Sequence, residues 1–350
     1  MASYSSKIIN ALKVFKSLYA IKLLKTRIPV YCEWELTNFC NMSCYFCSTY
    51  TNDRNAANDI SEERANEILD QLEEMGTLIL HFSGGEPTLW KGFSRLVQRA
   101  KSKNMIVSFT TNGSASQKLM ESVIETDIIR ISIDGPQRLH DSGRGYPGAF
   151  ARAIENIRFL KSRRVSPLIT TVFKEDSSRQ DLEDLAKLAS DLGVQISLNI
   201  FSKNLYSGEM AKNDSTETKD SLHADFFRII DEVRLECPKV FANPEPYLTI
   251  LKLGGLNNYG CRAMDVSISI KPDGSVWLPC TGLGKITSKR NLKEVFFSQE
   301  AEELLDLQGK DEACIPCTIR CMSSASALLN FRMQVSIFDS YCRSFFKFVT

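Results

Sequence analysis

Between residues 31 and 200, short hydrophobic runs alternate with amphipathic stretches. The hydrophobic runs predict six strands, at 31–36, 78–82, 105–110, 128–133, 168–173 and 194–200. The stretches between them predict helices at 62–75, 93–103, 117–124, 148–163 and 179–192. Connections of this length suit right-handed crossovers, so the pattern predicts an α/β fold with a parallel sheet. The six strand–helix units are fewer than the eight of a closed barrel.

The pattern changes after residue 201. A polar stretch at 202–220 predicts a loop, and 222–236 predicts a helix that ends before Pro238. The sequence Pro272-Asp273-Gly274 predicts a turn between two short strands at 266–270 and 275–278. These changes divide the chain into four predicted regions, namely an N-terminal helix (1–29), the strand–helix units (30–205), a connecting region (206–255) and a C-terminal domain (256–350).

The N-terminal region is an amphipathic and basic helix. Its apolar residues fall at helical spacing, at Ile8, Ala11, Leu12, Phe15, Leu18 and Tyr19. The first 29 residues hold six basic side chains and no acidic one, so the net charge of +1 combines a basic segment with an acidic remainder. Two interpretations stay open: the helix packs its apolar face on the body of the protein, or it lies on an anionic membrane surface.

Composition narrows the class of protein. A chain of 350 residues with 43% hydrophobic residues can bury a substantial core. Near-neutral charge argues against a protein that coats nucleic acid, and no apolar run reaches the ~18–20 residues that span a bilayer. Eleven cysteines without a secretory signal predict a cytoplasmic protein whose thiols serve metal binding or catalysis.

The cysteines lie at the two ends of the chain. Cys40, Cys44 and Cys47 form a C-x3-C-x2-C run directly after the first predicted strand. Three thiolates on one loop can bind three irons of an iron–sulfur cube and leave the fourth iron open, as a catalytic metal site requires. The alternative is structural zinc, but no histidine lies within thirty residues to complete such a site. Cys32 and Cys237 are predicted to be ordinary thiols, although Cys32 could face a barrel lumen.

The C-x3-C-x2-C run resembles that of the radical S-adenosylmethionine (radical SAM) enzymes. Three later segments resemble the family's motifs in the same order: Ser83-Gly84-Gly85-Glu86-Pro87, Thr111-Asn112-Gly113 and Ser132-Ile133-Asp134-Gly135-Pro136. Each lies at the C-terminal end of a predicted strand, where parallel α/β folds place their sites. The resemblance covers residues 30–205 and implies a partial (β/α)6 TIM-like barrel. It also implies a [4Fe–4S] cluster on the three cysteines and S-adenosylmethionine (SAM) as cofactor.

The resemblance further implies a set of SAM contacts. Gly84 and Gly85 would let the backbone approach the methionine part, and Glu86 would bind its amino group. The backbone of Phe46 would meet the adenine, and Arg144 would pair with the SAM carboxylate, a contact for which arginine is suited. Positions implied along the ribose and carboxylate are Thr111, Asn112, Ser132 and Asp134.

The second cysteine-rich region resembles the SPASM and shorter twitch domains that carry auxiliary clusters. Its cysteines are Cys261, Cys280, Cys314, Cys317, Cys321 and Cys342. The predicted hairpin would bring Cys261 and Cys280 together. Six thiols are too few for two cubes with four cysteines each, so one auxiliary [4Fe–4S] cluster is favoured, with two further ligands from 314, 317 and 321. Two alternatives remain. In one, Cys314, Cys317, Cys321 and Cys342 bind one cube, and Cys261 and Cys280 belong to a second, incomplete one; the other is a zinc site.

These motifs predict an enzyme that cleaves SAM reductively and uses the resulting 5′-deoxyadenosyl radical to abstract a hydrogen atom. The predicted substrate is a small or lipid-like molecule. The alternatives are a maturase of a ribosomally made peptide and, outside enzymes, an iron–sulfur electron carrier, which would need no SAM motifs. The predicted partners are a flavodoxin- or ferredoxin-type electron donor, the substrate and a membrane surface at the N-terminal helix, with no nucleic acid.

Overall fold

The computed structural model describes residues 4–47, 55–173, 177–200, 219–243, 261–278, 281–287 and 289–308, together with residues 310 and 329. The predicted strand–helix units are present. Their strands are β1 (Tyr31–Glu35), β2 (Ile79–Ser83), β3 (Ile106–Thr111), β4 (Ile128–Ser132), β5 (Leu168–Phe173) and β6 (Gln195–Ile200). All six pair in parallel with their chain neighbours, which confirms the predicted α/β class.

The helices match the predicted ones to within a few residues at their ends. They are α1 (Tyr4–Leu24), α2 (Glu62–Glu74), α3 (Phe93–Ser102), α4 (Gln117–Ser122), α5 (Gln137–Arg144), α6 (Ala149–Ser162), α7 (Arg179–Leu192) and α8 (Lys219–Glu236). Ser61 begins α2, because its side chain accepts the Arg64 backbone N–H at 3.2 Å. The short helix α5 was not predicted, since Leu139 is its only large apolar residue.

The C-terminal part of the chain extends the same sheet. It contains α9 (Ala263–Val266), β7 (Ser267–Ile270), β8 (Ser275–Leu278), β9 (Thr281–Lys285), α10 (Leu292–Phe296) and α11 (Gln299–Leu307). The hairpin predicted at Pro272-Asp273-Gly274 is formed by β7 and β8, which are antiparallel. β7 also pairs in parallel with β1, so the strand order is β6-β5-β4-β3-β2-β1-β7-β8-β9. That pairing was not predicted.

The two faces of the sheet differ in polarity. On one face, apolar side chains from alternate strand positions are buried in the core; examples are Trp34, Phe82 and Phe109, each fully buried. Cys32 belongs to this buried face, so it does not face the lumen. Because side chains alternate along a strand, the intervening residues lie on the opposite, open face. They include the polar residues Glu33, Glu35, His81, Ser83, Ser108, Thr110, Arg130, Ser132, Thr170, Ser197, Asn199 and Ser269, as well as the apolar residues Ile79, Ile106, Ile128, Leu168 and Val172.

Helix α1 lies against the body through one stripe. Leu18 and Ile21 are buried, and the Asn10 side chain donates to the Asn104 carbonyl at 3.1 Å. Just after the helix, the Ile28 backbone N–H donates to the Asp265 carbonyl at 3.1 Å. Within the described residues, no helix has the length and apolar character needed to cross a membrane.

Candidate functional site

The loop after β1 carries the three cysteines and is held by two neighbouring segments. The first is the glycine pair after β2. The Gly85 N–H donates to the Thr37 carbonyl at 2.7 Å, and the Glu86 N–H donates to the Phe39 carbonyl at 2.8 Å. A Cβ at Gly85 would lie 2.2 Å from the Phe39 carbonyl oxygen, and one at Gly84 would lie 2.5 Å from that of Thr37. Close packing of two backbones therefore requires both glycines.

The second supporting segment is the C-terminal end of α5. The Ser43 N–H donates to the Arg144 carbonyl at 2.9 Å, and the Tyr45 N–H donates to the Gly143 carbonyl at 3.2 Å. Gly145 ends the helix with a φ of 58°, a left-handed conformation that favours glycine. This pairing fixes the loop on its other side, so the loop is clamped between the end of β2 and the end of α5.

The clamped loop brings Cys40, Cys44 and Cys47 into one small cluster with Met42 and Phe46. Cys44 is buried, and Cys40 and Cys47 are half-buried. Burial raises the pKa of Cys44 to about 11, and the nearby Arg144 guanidinium acts in the opposite direction. Within the part of the chain that the structure describes, no group of three or more His, Cys, Asp or Glu side chains is arranged around a single metal ion.

The donor set of this loop fits an iron–sulfur cluster. Its ligands are three thiols, which become thiolates when they bind iron. The Cζ atom of Arg144 lies 5.8 Å from the centre of the Phe46 ring, so a cation stands beside the loop. In such a cube each of the three thiolates would bind a different iron. The three thiols therefore do not need to surround one common ion. The cysteines therefore suit the cluster that the sequence motif implies.

Glu86 is buried and ties the end of β2 to the end of β3. Its Oε1 accepts from the Thr88 hydroxyl at 2.6 Å, the Thr88 N–H at 3.2 Å and the Thr111 hydroxyl at 2.8 Å. Its Oε2 accepts from the Asn112 N–H at 2.7 Å. Burial raises the pKa of Glu86, and these hydrogen bonds oppose the increase. The carboxylate thus has four donors within the protein.

Asn112 extends this network to the cysteine loop. Its side-chain Nδ2 lies 3.8 Å from Cys40 Sγ and 2.9 Å from Asn41 Oδ1. Its Oδ1 accepts from the Ser114 N–H at 2.9 Å. The backbone N–H of Met42 also donates to Cys40 Sγ, at 3.4 Å. Asn112, predicted as a SAM contact, therefore lies within hydrogen-bonding distance of the Cys40 sulfur.

Arg144 is held by Asp134 at the end of β4. The Nε and Nη2 atoms of Arg144 each lie 2.8 Å from Asp134 Oδ2. The other carboxylate oxygen, Oδ1, accepts from the Val172 N–H at 3.3 Å. Both side chains are nearly buried, and Ser132 is buried two residues before Asp134. The structure therefore brings these predicted site residues together beside the cysteine loop.

Polar residues on the open face form a network that the motifs did not indicate. His81 Nδ1 lies 2.8 Å from the Ser108 hydroxyl and 3.2 Å from Arg130 Nη1. Glu33 accepts from the Tyr31 hydroxyl at 2.8 Å and the Ser83 hydroxyl at 2.9 Å. Because arginine can only donate, Nδ1 of His81 accepts and its proton lies on Nε2. The alternation of polar and apolar residues within the strands was the sequence signal that could have indicated these residues.

The second cysteine-rich region is described only at its start. Cys261 is half-buried and lies just before α9. The other predicted cysteines, Cys280, Cys314, Cys317, Cys321 and Cys342, lie outside the described residues.

Solved structures share this fold. Streptococcus suis SuiB bound to S-adenosylmethionine aligns with a TM-score of 0.64 and 16% identity, over 88% of this chain and 75% of that one. The protein anSMEcpe with bound AdoMet aligns with a TM-score of 0.62 and 16% identity, over 91% of this chain and 98% of that one. At such identities the likeness concerns the fold alone.

Curated relatives match the strand–helix region. An AdoMet-dependent heme synthase from Oleidesulfovibrio alaskensis is 32% identical over 46% of this chain and 42% of its own length. The mycofactocin maturase MftC from Mycobacterium ulcerans is 29% identical over 48% of this chain and 46% of its own length. The chain thus matches less than half the length of each of these two relatives.

The family model of the Radical SAM superfamily matches residues 34–189, which run from β1 into α7. This range contains the cysteine loop, the glycine pair and the Asp134–Arg144 pair. These residues are the part of the chain that is similar to the radical SAM superfamily.

Proposed function

We propose that this protein is a radical SAM enzyme that oxidises or rearranges a polar substrate. The observation that supports this most is the clamped loop, which presents three cysteine side chains beside a buried arginine–aspartate pair. When bound, the cluster supplies the electron that cleaves SAM into methionine and a 5′-deoxyadenosyl radical, which abstracts a hydrogen atom from the substrate.

The protein's own residues would bind and orient these groups. Cys40, Cys44 and Cys47 would hold the cluster, and Arg144 would pair with the SAM carboxylate. Asp134 fixes the Arg144 side chain through two contacts to one oxygen, so the arginine is oriented before SAM binds. Both groups are shielded from water, which strengthens their electrostatic interactions. Asp134 thereby acts on SAM through Arg144.

An auxiliary [4Fe–4S] cluster in the C-terminal region is part of this proposal. Cys261 lies directly before α9, whose chain continues into β7 beside β1. Cys261 thus lies a few residues before a strand of the main sheet, which supports a cluster near that sheet. An auxiliary cluster with Cys261 among its ligands would exchange an electron with the substrate or bind it. Iron content would test this: about eight irons per chain supports two cubes, and about four supports one.

The polarity of the open face favours a substrate with hydrogen-bonding and charged groups. The interior of a closed barrel is filled by bulky apolar side chains. In this protein the open face of the sheet corresponds to that interior, and it carries Glu33, His81 and Arg130. On the same face, Glu35 forms an ion pair with Lys271. Buried polar groups require polar partners, so an aliphatic chain would bind poorly against them. We therefore favour a polar small molecule over a lipid chain as the group that enters the barrel.

A peptide is the second candidate substrate. The relatives MftC and SkfB are named as maturases, and SuiB was solved with its precursor peptide SuiA. Peptide groups also satisfy a polar lining. Incubation of the reconstituted enzyme with SAM and either cell metabolites or a candidate precursor peptide distinguishes the two. The true substrate raises the yield of 5′-deoxyadenosine and acquires a mass change.

Two external partners complete the proposal. An electron donor of the flavodoxin or ferredoxin type would reduce the cluster. The second partner is an anionic membrane surface, which α1 would contact. While Leu18 and Ile21 face the body, Leu12, Tyr19 and Leu23 are 62%, 66% and 58% exposed. These three lie on another face of the helix.

Charge complementarity supports a lipid surface as the occupant of this exposed face. Lys13, Lys16 and Lys25 are exposed on and beside α1, and no acidic residue precedes Glu33. An apolar stripe with flanking lysines suits the interface of an anionic bilayer. A helix in this position would lie along the surface rather than cross it. The contact is independent of the radical chemistry.

Vesicle sedimentation tests the membrane contact. The full-length protein should sediment with vesicles of equal phosphatidylglycerol and phosphatidylcholine, and less with phosphatidylcholine alone. The double variant Leu12→Ser, Leu23→Ser should bind roughly 30-fold more weakly, because partial burial of two leucines contributes about 2 kcal/mol. The control is Leu235→Ser, since Leu235 is 81% exposed on α8. Equal binding of wild type and double variant would contradict this contact.

The radical chemistry has a direct assay. Anaerobically reconstituted protein should form 5′-deoxyadenosine from SAM in the presence of dithionite, and Cys44→Ala should form none. Thermal unfolding of the cluster-free proteins would show whether Cys44→Ala still folds. Unchanged 5′-deoxyadenosine formation in a folded Cys44→Ala protein would refute the site.

A further inference from the structure

Cys40 is distinguished from the other cysteines of the loop by its hydrogen-bond donors. The Asn112 side-chain Nδ2 lies 3.8 Å from its sulfur, and the Met42 backbone N–H lies 3.4 Å from it. Asn112 comes from the end of β3, about seventy residues along the chain, so this contact is built by the fold. Asn112 is only 6% exposed, whereas Cys40 is half-buried.

The orientation of the Asn112 amide is fixed by its neighbours. Its Oδ1 accepts from the Ser114 N–H at 2.9 Å, so its Nδ2 must be the atom that faces Cys40. Nδ2 also donates to Asn41 Oδ1 at 2.9 Å, which uses its second hydrogen. The Asn112 backbone is held by Glu86 at 2.7 Å. The amide therefore presents an N–H to the Cys40 sulfur rather than its oxygen.

We infer that Asn112 is a positioning residue that raises the reduction potential of the cluster through the Cys40 thiolate. This inference rests on the proposed function, in which Cys40 binds the cluster. An N–H directed at a ligand sulfur stabilises negative charge there, and the reduced cluster carries one more negative charge than the oxidised one. Removal of the donor should therefore make the cluster harder to reduce. The Met42 N–H remains in every side-chain variant, so one donor to Cys40 is retained.

A redox titration without SAM tests this inference. The reconstituted full-length protein is titrated and followed by electron paramagnetic resonance at the signal that Cys44→Ala removes. In Asn112→Ala, the ratio of reduced to oxidised cluster at a given potential should fall about tenfold, equal to about 59 mV for one electron. The control Ser114→Ala keeps its backbone N–H to Asn112 and should titrate like the wild type.

The absence of SAM separates this role from a direct SAM contact. If Asn112 served only to bind SAM, Asn112→Ala would titrate like the wild type, and the inference would be overturned. If Asn112→Ala takes up no cluster, Asn112→Ser carries the test, because its hydroxyl can still accept from the Ser114 N–H while too short to reach the sulfur. A wild-type protein that takes up no cluster would instead refute the proposed function.

Discussion

Replacing Glu86 by glutamine tests whether this carboxylate is a structural link between β2 and β3. In Glu86→Gln an amide nitrogen takes the place of one carboxylate oxygen. The Thr88 and Thr111 donors can all be served by the oxygen that remains. The amide NH2 then faces the Asn112 N–H, which lies 2.7 Å from the oxygen it replaces. Two donors cannot hydrogen-bond to each other, so one buried N–H loses its acceptor.

The size of the effect follows from these contacts. A hydrogen bond to a charged acceptor contributes about 1.5–3 kcal/mol, and an unsatisfied buried donor costs about 1–3 kcal/mol. Relief of the buried charge offsets part of this loss, since burial raises the pKa of Glu86. We expect the free energy of unfolding to fall by about 2–4 kcal/mol and the melting temperature by roughly 5–10 °C.

The assay is thermal unfolding of the cluster-free protein without SAM, followed by tryptophan fluorescence. The matched control is Glu121→Gln, which alters an exposed ion pair with Arg163 and should cost at most about 1 kcal/mol. If Glu86 acted only by binding the SAM amino group, Glu86→Gln would unfold like the wild type in this assay. That result would refute the structural role.

Three further predictions concern the clamped loop and the open face. Gly85→Ala should lower the melting temperature strongly, because its Cβ would lie 2.2 Å from the Phe39 carbonyl oxygen. The control Gly143→Ala should change the melting temperature little, because the atom nearest to its Cβ would be a Tyr45 ring carbon at 3.6 Å. Burial raises the pKa of Glu33 above 4.5, so the folded state keeps this proton to higher pH than the unfolded chain, and stability falls as pH rises between the two pKa values. Glu33→Gln should therefore unfold at higher temperature than the wild type at pH values above the raised pKa, and a melting temperature equal to that of the wild type at every pH would contradict this. Asp134→Asn should raise the Kd for SAM about tenfold in equilibrium dialysis of the reconstituted protein while its iron content stays unchanged; an unaltered Kd would show that the arginine needs no such support.

Local patterns predicted the strands and helices because each one is encoded within a few residues. The hairpin at Pro272-Asp273-Gly274 is formed as predicted, since its turn residues lie together in the sequence. The parallel pairing of β7 with β1 joins segments more than two hundred residues apart, and no local signal indicates it. Helix α5 was missed because it lacks an apolar face. Its position comes instead from backbone hydrogen bonds to the cysteine loop.

The residues of the candidate site could be predicted where a sequence motif contains them. They were harder to predict where their role depends on contacts between segments that are distant in the sequence. The spacing of Cys40, Cys44 and Cys47 already indicated a cluster. In contrast, the resemblance assigned Gly84 and Gly85 to SAM, whereas the structure shows that both pack tightly against the loop after β1. The proximity of Asn112 to Cys40 also depends on how the ends of β1 and β3 meet. Such contacts follow from register and loop shape, which the sequence pattern does not specify.

The account rests on a cluster with one iron open to SAM, held by the loop of Cys40, Cys44 and Cys47. The most direct measurement is the electron paramagnetic resonance spectrum of the reduced, reconstituted protein before and after addition of SAM. The account predicts a cluster signal whose g values change when SAM is added, and the loss of that signal in Cys44→Ala. A cluster signal that SAM leaves unchanged, or a protein that takes up zinc at this loop in place of iron, would contradict it.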